Sequence, residues 1–204
     1  MPLAALPNIL SGLRILLVLP YVVLLLENRF APALCIFVVA AVTDGVDGWL
    51  ARRFGWQSQL GAVLDPAADK LLVAVSLILL SWLTMAPAWV VVVVLARDVV
   101  IVAGALAYRR WIGPVAYGST RLSKICTALQ LLLILALLLQ PLLATGLGST
   151  GQWPSTTREV EVDLLAHAVQ VLAVAVAVLA VMSGADYVWT WTRKAIAQRA
   201  RVAP

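Results

Sequence analysis

Residues 43–70 read TDGVDGWLARRFGWQSQLGAVLDPAADK, and the reading of the whole chain turns on this stretch. It carries Asp44, Asp47, Asp65 and Asp69, with Gly48, Ala51, Arg52 and Gly61 between them, in a sequence that is otherwise overwhelmingly apolar. Asp44 and Asp47 are three apart and Asp65 and Asp69 four apart, so on helices each pair shares a face. The stretch from Phe54 to Ser58 reads as a short turn. It would fold the two helices into an antiparallel hairpin and bring the pairs to similar depth. An acid at mid-bilayer costs on the order of 2.5–3.5 kcal/mol on insertion scales, so four uncompensated ones would cost about 10 kcal/mol. Such a cluster calls for a cation. Four carboxylates without His or Cys suit a hard divalent ion, Mg²⁺ or Mn²⁺, and not zinc.

Outward from that stretch the chain is a membrane protein. Of its 204 residues 63% are hydrophobic and only 12% charged, with mean hydropathy +0.98. Soluble domains keep about a quarter of their residues charged. The apolar runs are long enough to span as helices, and the short alternating segments of a barrel are missing. The expected fold is therefore all-α, a single domain over residues 1–204 with six transmembrane helices. A short amphipathic amino-terminal interfacial segment, residues 2–11, leads in. The spans are expected near 8–26, 32–52, 57–83, 88–108, 119–143 and 162–191. Polar loops are expected over Trp111–Ser119 and Thr145–Thr157. A signal peptide fits the first span poorly, because a charged leading region is missing and the apolar run is long.

Six spans put both termini on one side. Arg52, Arg53, Arg109, Arg110, Arg121, Lys124, Arg193, Lys194, Arg199 and Arg201 fall on that side; only Arg29 and Arg158 fall opposite, beside Glu159, Glu161 and Asp163. The positive-inside rule then predicts an inner (cytoplasmic) membrane protein with its termini and aspartates facing the cytoplasm. The net charge of +5 comes from residues placed between apolar spans. They read as topology determinants and ligands for anionic headgroups, and nucleic acid is not expected as a partner. Cys35 and Cys126 lack framework spacing and read as buried thiols.

What the aspartates do has two readings from residues alone. A cation transporter with an acid-lined path also puts carboxylates in a membrane. A phosphoryl-transfer site additionally explains Arg52, whose fork of donors suits a phosphate, and the small residues Gly48, Ala51 and Gly61, which let a ligand come close. The spacing goes further. Asp44-x2-Asp47-Gly48-x2-Ala51-Arg52-x8-Gly61-x3-Asp65-x3-Asp69 resembles the CDP-alcohol phosphatidyltransferase signature at all eight positions. Pro7-Asn8 with Arg14 is similar to the amino-terminal edge of these enzymes.

The resemblance implies transfer of a substituted phosphate from a CDP-linked donor to an alcohol, with release of CMP. It implies that Asp44, Asp47 and Asp65 hold a metal pair, that Asp69 shares in metal binding and acts as the catalytic base, and that the protein is a homodimer. It implies a CDP-donor site lined by Asn8, Asp44, Asp47, Gly48, Ala51, Arg52 and Gly61. For the acceptor, the remaining cytoplasmic cations Arg97, Arg109, Arg110, Arg121 and Lys124 are the candidates. Arg97 beside Asp98 also reads as an internal charge pair, and Arg121 with Lys124 as snorkelling anchors. The segments ARDVVIVAGALAYR, 96–109, and STRLSKICTALQ, 119–130, resemble the CMP-forming cardiolipin synthases. The nearest relatives, the phosphatidylglycerophosphate synthases, more often carry Arg-Glu and Gly-Lys where this chain has Arg97-Asp98 and Ser123-Lys124. The finer expectation is thus CDP-diacylglycerol as donor and phosphatidylglycerol, an anionic lipid, as acceptor; glycerol-3-phosphate is the alternative. His167 and the Trp189/Trp191 pair read as interfacial residues, and Ser183, Gly184 and Asp186 as either acceptor contacts or a packing kink.

Overall fold

Six helices account for every described element: α1 Leu6–Leu26, α2 Phe30–Phe54, α3 Gly61–Trp82, α4 Ala88–Trp111, α5 Arg121–Ala144 and α6 Ser155–Val202. The computed structural model describes the backbone of residues 6–54, 61–111, 120–144 and 155–202. Side chains are described for 12–43, 70–107, 110, 120, 122–144 and 163–193.

Two of the turns have a clear physical basis. At the end of α1, Arg29 N–H donates to the Leu24 carbonyl (2.8 Å) and Asn28 N–H to that of Leu25 (3.0 Å), the paired bonds of a Schellman cap. Asn28 takes the left-handed φ of 57° that this cap needs, and asparagine tolerates it better than most residues. The same cap ends α3, where Met85 N–H reaches Leu80 (2.9 Å) and Thr84 N–H reaches Ser81 (3.0 Å). Here a threonine carries φ 60°, an uncomfortable place for a β-branched side chain. At the start of α5, Thr120 Oγ1 accepts from Ser123 N–H at 3.2 Å, an N-cap that satisfies an otherwise orphaned donor.

The chain divides into two compact units, Met1–Ala86 with Leu131–Val169 and Pro87–Gln130 with Gln170–Pro204. In the first, α1 packs against both α2 and α3. Its buried face is Arg14, Val18, Tyr21 and Leu25, spaced at one helical stripe. Against it lie Ala33, Phe37 and Ala40 of α2 and Leu72, Val73, Ser76, Leu77 and Leu80 of α3, all buried. The Tyr21 and Phe37 rings sit 6.2 Å apart. In the second unit the buried residues include Val90, Val94 and Arg97 of α4, Cys126 and Gln130 of α5, and Ala173, Ala177, Ala180 and Ser183 of α6. Small residues on α6 allow close helix approach, as in membrane bundles.

The outward surface is apolar as well. Leu16, Leu19 and Val171 are 70–72% exposed, which in water would leave far more oily surface than a soluble monomer shows. Among the described residues three stretches are long and apolar enough to cross a bilayer: Ala88–Ala107, Leu122–Ala144 and Asp163–Arg193. The described apolar parts of α1, α2 and α3, Gly12–Leu26, Phe30–Thr43 and Lys70–Trp82, are shorter. The protein is an all-helical membrane protein.

Several expected details shift. From Leu6 on, the expected lead-in is already the first turns of α1. Trp111 belongs to α4 and Ser155–Thr157 to α6, so the two expected loops are trimmed by helix. Cys126 is buried but Cys35 is exposed, and both are free. Trp191 is a packing residue more than a belt residue: it meets Tyr187 edge-on at 5.4 Å, and a Cβ at Gly104 would run into its ring. Trp189, 62% exposed with Arg193 5.0 Å from its ring, keeps the interfacial role. His167 is exposed, its Nδ1 2.8 Å from the Asp163 carbonyl.

Candidate active site

The aspartates lie on the two helices that α1 holds together. Asp44 and Asp47 are in α2, as are Gly48, Ala51 and Arg52; Asp65 and Asp69 are in α3, which begins at Gly61. The period of the buried residues gives their register. On α2, Ala33, Phe37 and Ala40 run on at the same helical spacing to positions 44, 47 and 51. On α3, Leu72, Val73 and Ser76 run back to 65 and 69. Both acid pairs therefore occupy the continuation of a packed stripe, toward the ends of α2 and α3 that adjoin residues 55–60. The side chains of Asn8, Asp44, Asp47, Ala51, Arg52, Asp65, Asp69, Arg109 and Arg121, and the surroundings of Gly48 and Gly61, lie outside the described residues. Among the described residues no three His, Cys, Asp or Glu side chains gather as a metal site. The donor set on the two stripes consists of carboxylates alone, which fits Mg²⁺ or Mn²⁺ and not a softer ion.

A second polar cluster lies among the described residues of the other unit. Arg97 of α4 is 7% exposed as a residue. Its Nη1 donates to Asp98 Oδ1 at 2.6 Å, and the two side chains are only 6% and 17% exposed. Its Nη2 donates to Ser123 Oγ of α5 at 2.6 Å and to Ser183 Oγ of α6 at 3.0 Å. Gly184 adds room: a Cβ there would lie 3.6 Å from Arg97 Cγ. Nε of Arg97 has no hydrogen-bond partner among the described residues. The guanidinium is thus pinned at the first turn of α5, where unpaired N–H groups and the helix dipole favour an anion. Lys124, next along that turn, is exposed. Of the two readings the sequence left open for Arg97, the internal charge pair with Asp98 is present, and its Nε keeps a donor without a partner among the described residues. Ser183, which the sequence offered as an acceptor contact or part of a packing kink, bonds Arg97 across 86 residues of chain.

Taken together, these features define an integral membrane protein with four aspartates on the two helices packed against α1 and a fixed arginine on α4. Comparison with known sequences identifies the class. Residues 4–181 match the CDP-alcohol phosphatidyltransferase family, and the chain belongs to that family. The CDP-diacylglycerol–glycerol-3-phosphate 3-phosphatidyltransferase of Pectobacterium atrosepticum is 38% identical over 149 residues, covering 66% of this chain and 77% of that protein. The enzyme of the same name from Bacillus subtilis is 40% identical over 107 residues, covering 52% and 54%. The CMP-forming cardiolipin synthase of Rattus norvegicus is 36% identical over 152 residues, covering 66% of this chain and 50% of that protein. The chain thus spans about half the length of the latter two. It is a phosphatidyltransferase, with a CDP-alcohol as donor. Enzymes of this family generally use divalent metals.

Proposed function

We propose that this phosphatidyltransferase moves the phosphatidyl group of CDP-diacylglycerol to a hydroxyl of phosphatidylglycerol, giving cardiolipin and CMP. One observation carries the acceptor choice. Asp98 and Ser123, the two residues that set this chain apart from the usual phosphatidylglycerophosphate synthase pattern, both bond to the same arginine, Arg97. They belong to one device that fixes a cation at the start of α5. That cation, with Arg109, Arg121 and Lys124, would receive the phosphate of an anionic acceptor. A second reading is favoured by the relatives: glycerol-3-phosphate as acceptor, as in the name of the Pectobacterium enzyme, whose identity exceeds that of the cardiolipin synthase.

In this reading the donor lies over the α2–α3 acids, with Asn8, Gly48, Ala51, Arg52 and Gly61 around the CDP portion and Arg52 on its diphosphate. Asp44, Asp47, Asp65 and Asp69 would hold two Mg²⁺ or Mn²⁺ ions. What such a pair supplies when bound is neutralisation of the diphosphate, which makes CMP a better leaving group. Asp69 takes the proton from the acceptor hydroxyl, that oxygen bonds to the diacylglycerol-side phosphorus, and the bond to the CMP oxygen breaks. The acceptor is held by charge in a fixed place, so positioning supplies much of the rate. The chain works as one domain, 1–204, because α5 and α6 each run through both compact units. It crosses the inner membrane six times with termini and site on the cytoplasmic side, and functions as a homodimer.

The test offers purified protein CDP-diacylglycerol with either acceptor and weighs the lipid product. Cardiolipin from phosphatidylglycerol is expected. Phosphatidylglycerophosphate as the sole product would overturn the acceptor assignment and leave the family unaffected.

A further inference from the structure

Arg14 is a charged residue buried on the packed face of α1, with 2% of its surface exposed. A buried arginine in a membrane bundle needs acids at its own depth. The packing around α1 says which ones are level with it. One contact calibrates the register: Tyr21 of α1 meets Phe37 of α2, ring to ring at 6.2 Å, and its hydroxyl, without a hydrogen-bond partner among the described residues, lies on the side of the buried Ser76 of α3. The turn over 27–29 makes α1 and α2 antiparallel. Residues 55–60 can reach at most about 20 Å, far short of the length of α2, so α3 returns alongside α1.

Seven residues are two helical turns and keep the same face. Two turns back from Tyr21 on α1 is Arg14. Two turns on from Phe37 along antiparallel α2 is Asp44. Two turns back from Ser76 along α3 is Asp69. All three arrive at one level by the same step. Asp47 and Asp65, the other acids of α2 and α3, lie about one helical turn from this level, and Glu27 lies beyond the far end of α1.

We propose that Arg14 is the resident counter-charge and positioning residue of the aspartate site, level with positions 44 and 69 on the two helices packed against α1. This rests on the proposed metal site but reaches beyond it: Arg14 holds the acids in place before any cation arrives. An arginine fork suits two carboxylates, where a lysine would give a single point charge. Removing it strands two acids in an apolar bundle, and the burden of neutralising them passes to the metal.

Thermal unfolding in detergent, with EDTA or with Mn²⁺, tests this apart from turnover. In EDTA, Arg14→Leu is expected to lower the midpoint by about 2–8 °C, the shift that a loss of 1–2 kcal/mol makes at this chain length. Mn²⁺ should return at least half of that loss, so the variant gains more from Mn²⁺ than the parent. Arg14→Leu/Asp69→Asn or Arg14→Leu/Asp44→Asn should regain stability over Arg14→Leu in EDTA, and Arg14→Lys should lose less than Arg14→Leu. If Arg14→Leu does not fold, the folding of either double variant carries the same information. An equal loss with and without Mn²⁺, or no recovery in both double variants, would make Arg14 a packing residue and overturn the proposal. If the parent gains nothing from Mn²⁺, the metal reading falls, while recovery in the double variants in EDTA still decides the role of Arg14.

Discussion

Replacing Asp98 by alanine separates the two duties of Arg97. The substitution removes the carboxylate 2.6 Å from Nη1 and leaves Nη2 on Ser123 and Ser183. Removing one partner of a buried ion pair typically costs 3–5 kcal/mol, because the other charge stays behind unpaired. Two features reduce that here: Asp98 is 17% exposed, so water reaches the gap, and two hydroxyls still receive the guanidinium. A loss of about 2–3 kcal/mol is the expected result. Arg97→Met/Asp98→Ala removes both charges and should return to within about 1 kcal/mol of the parent, since well-packed apolar replacements of a buried pair are often neutral. Its acceptor handling should not return. With CDP-diacylglycerol saturating, the KM for phosphatidylglycerol is expected to rise by about tenfold or more, the loss of one charge-assisted contact. Denaturant unfolding and steady-state CMP release on the same three proteins check both halves. A double variant as unstable as Asp98→Ala would refute the charge-pair account. A double variant with the parent's KM would refute the acceptor role.

Thr84 sits at φ 60° in a cap that favours glycine, so Thr84→Gly should stabilise the protein by about 0.5–1 kcal/mol, the left-handed penalty less the entropy of glycine; unfolding in detergent checks it. Gly104→Ala would drive a methyl into the Trp191 ring and is expected to cost about 1–3 kcal/mol, with a change in the tryptophan emission spectrum as its signature. Chelation with EDTA should abolish CMP release and added Mg²⁺ should restore it, whereas Asp69→Asn should stay inactive at any Mg²⁺ concentration; both follow by radiolabelled CMP.

The helices were legible because apolar length is a loud signal, but their ends and their faces were not. α6 runs from Ser155 to Val202, beyond the apolar stretch on both sides. Hydropathy marks where the membrane stops, while Ala, Arg, Gln and Lys continue a helix willingly. Cys35 looked buried because it sits among Ile, Phe and Val, yet it is exposed. In a bilayer the outside of a helix is as apolar as the inside, so composition does not tell the two apart. Steps of three and four put each acid pair on one face of its helix, α2 or α3. The Arg97 cluster was only half readable: Asp98 is its neighbour, but Ser123 and Ser183 are brought in by packing across 26 and 86 residues.

The contacts of α4 with α6 have a mechanical consequence. Arg97 is bonded to Ser183, and two turns further along both helices Gly104 receives the Trp191 ring. One pin lets two rods pivot; two pins, about 10 Å apart along the axis, fix their register. Sliding α4 past α6 by a single turn would have to break a buried charged bond and lift an indole out of its notch in the same movement. The two contacts together oppose shear between α4 and α6 far more than either would alone.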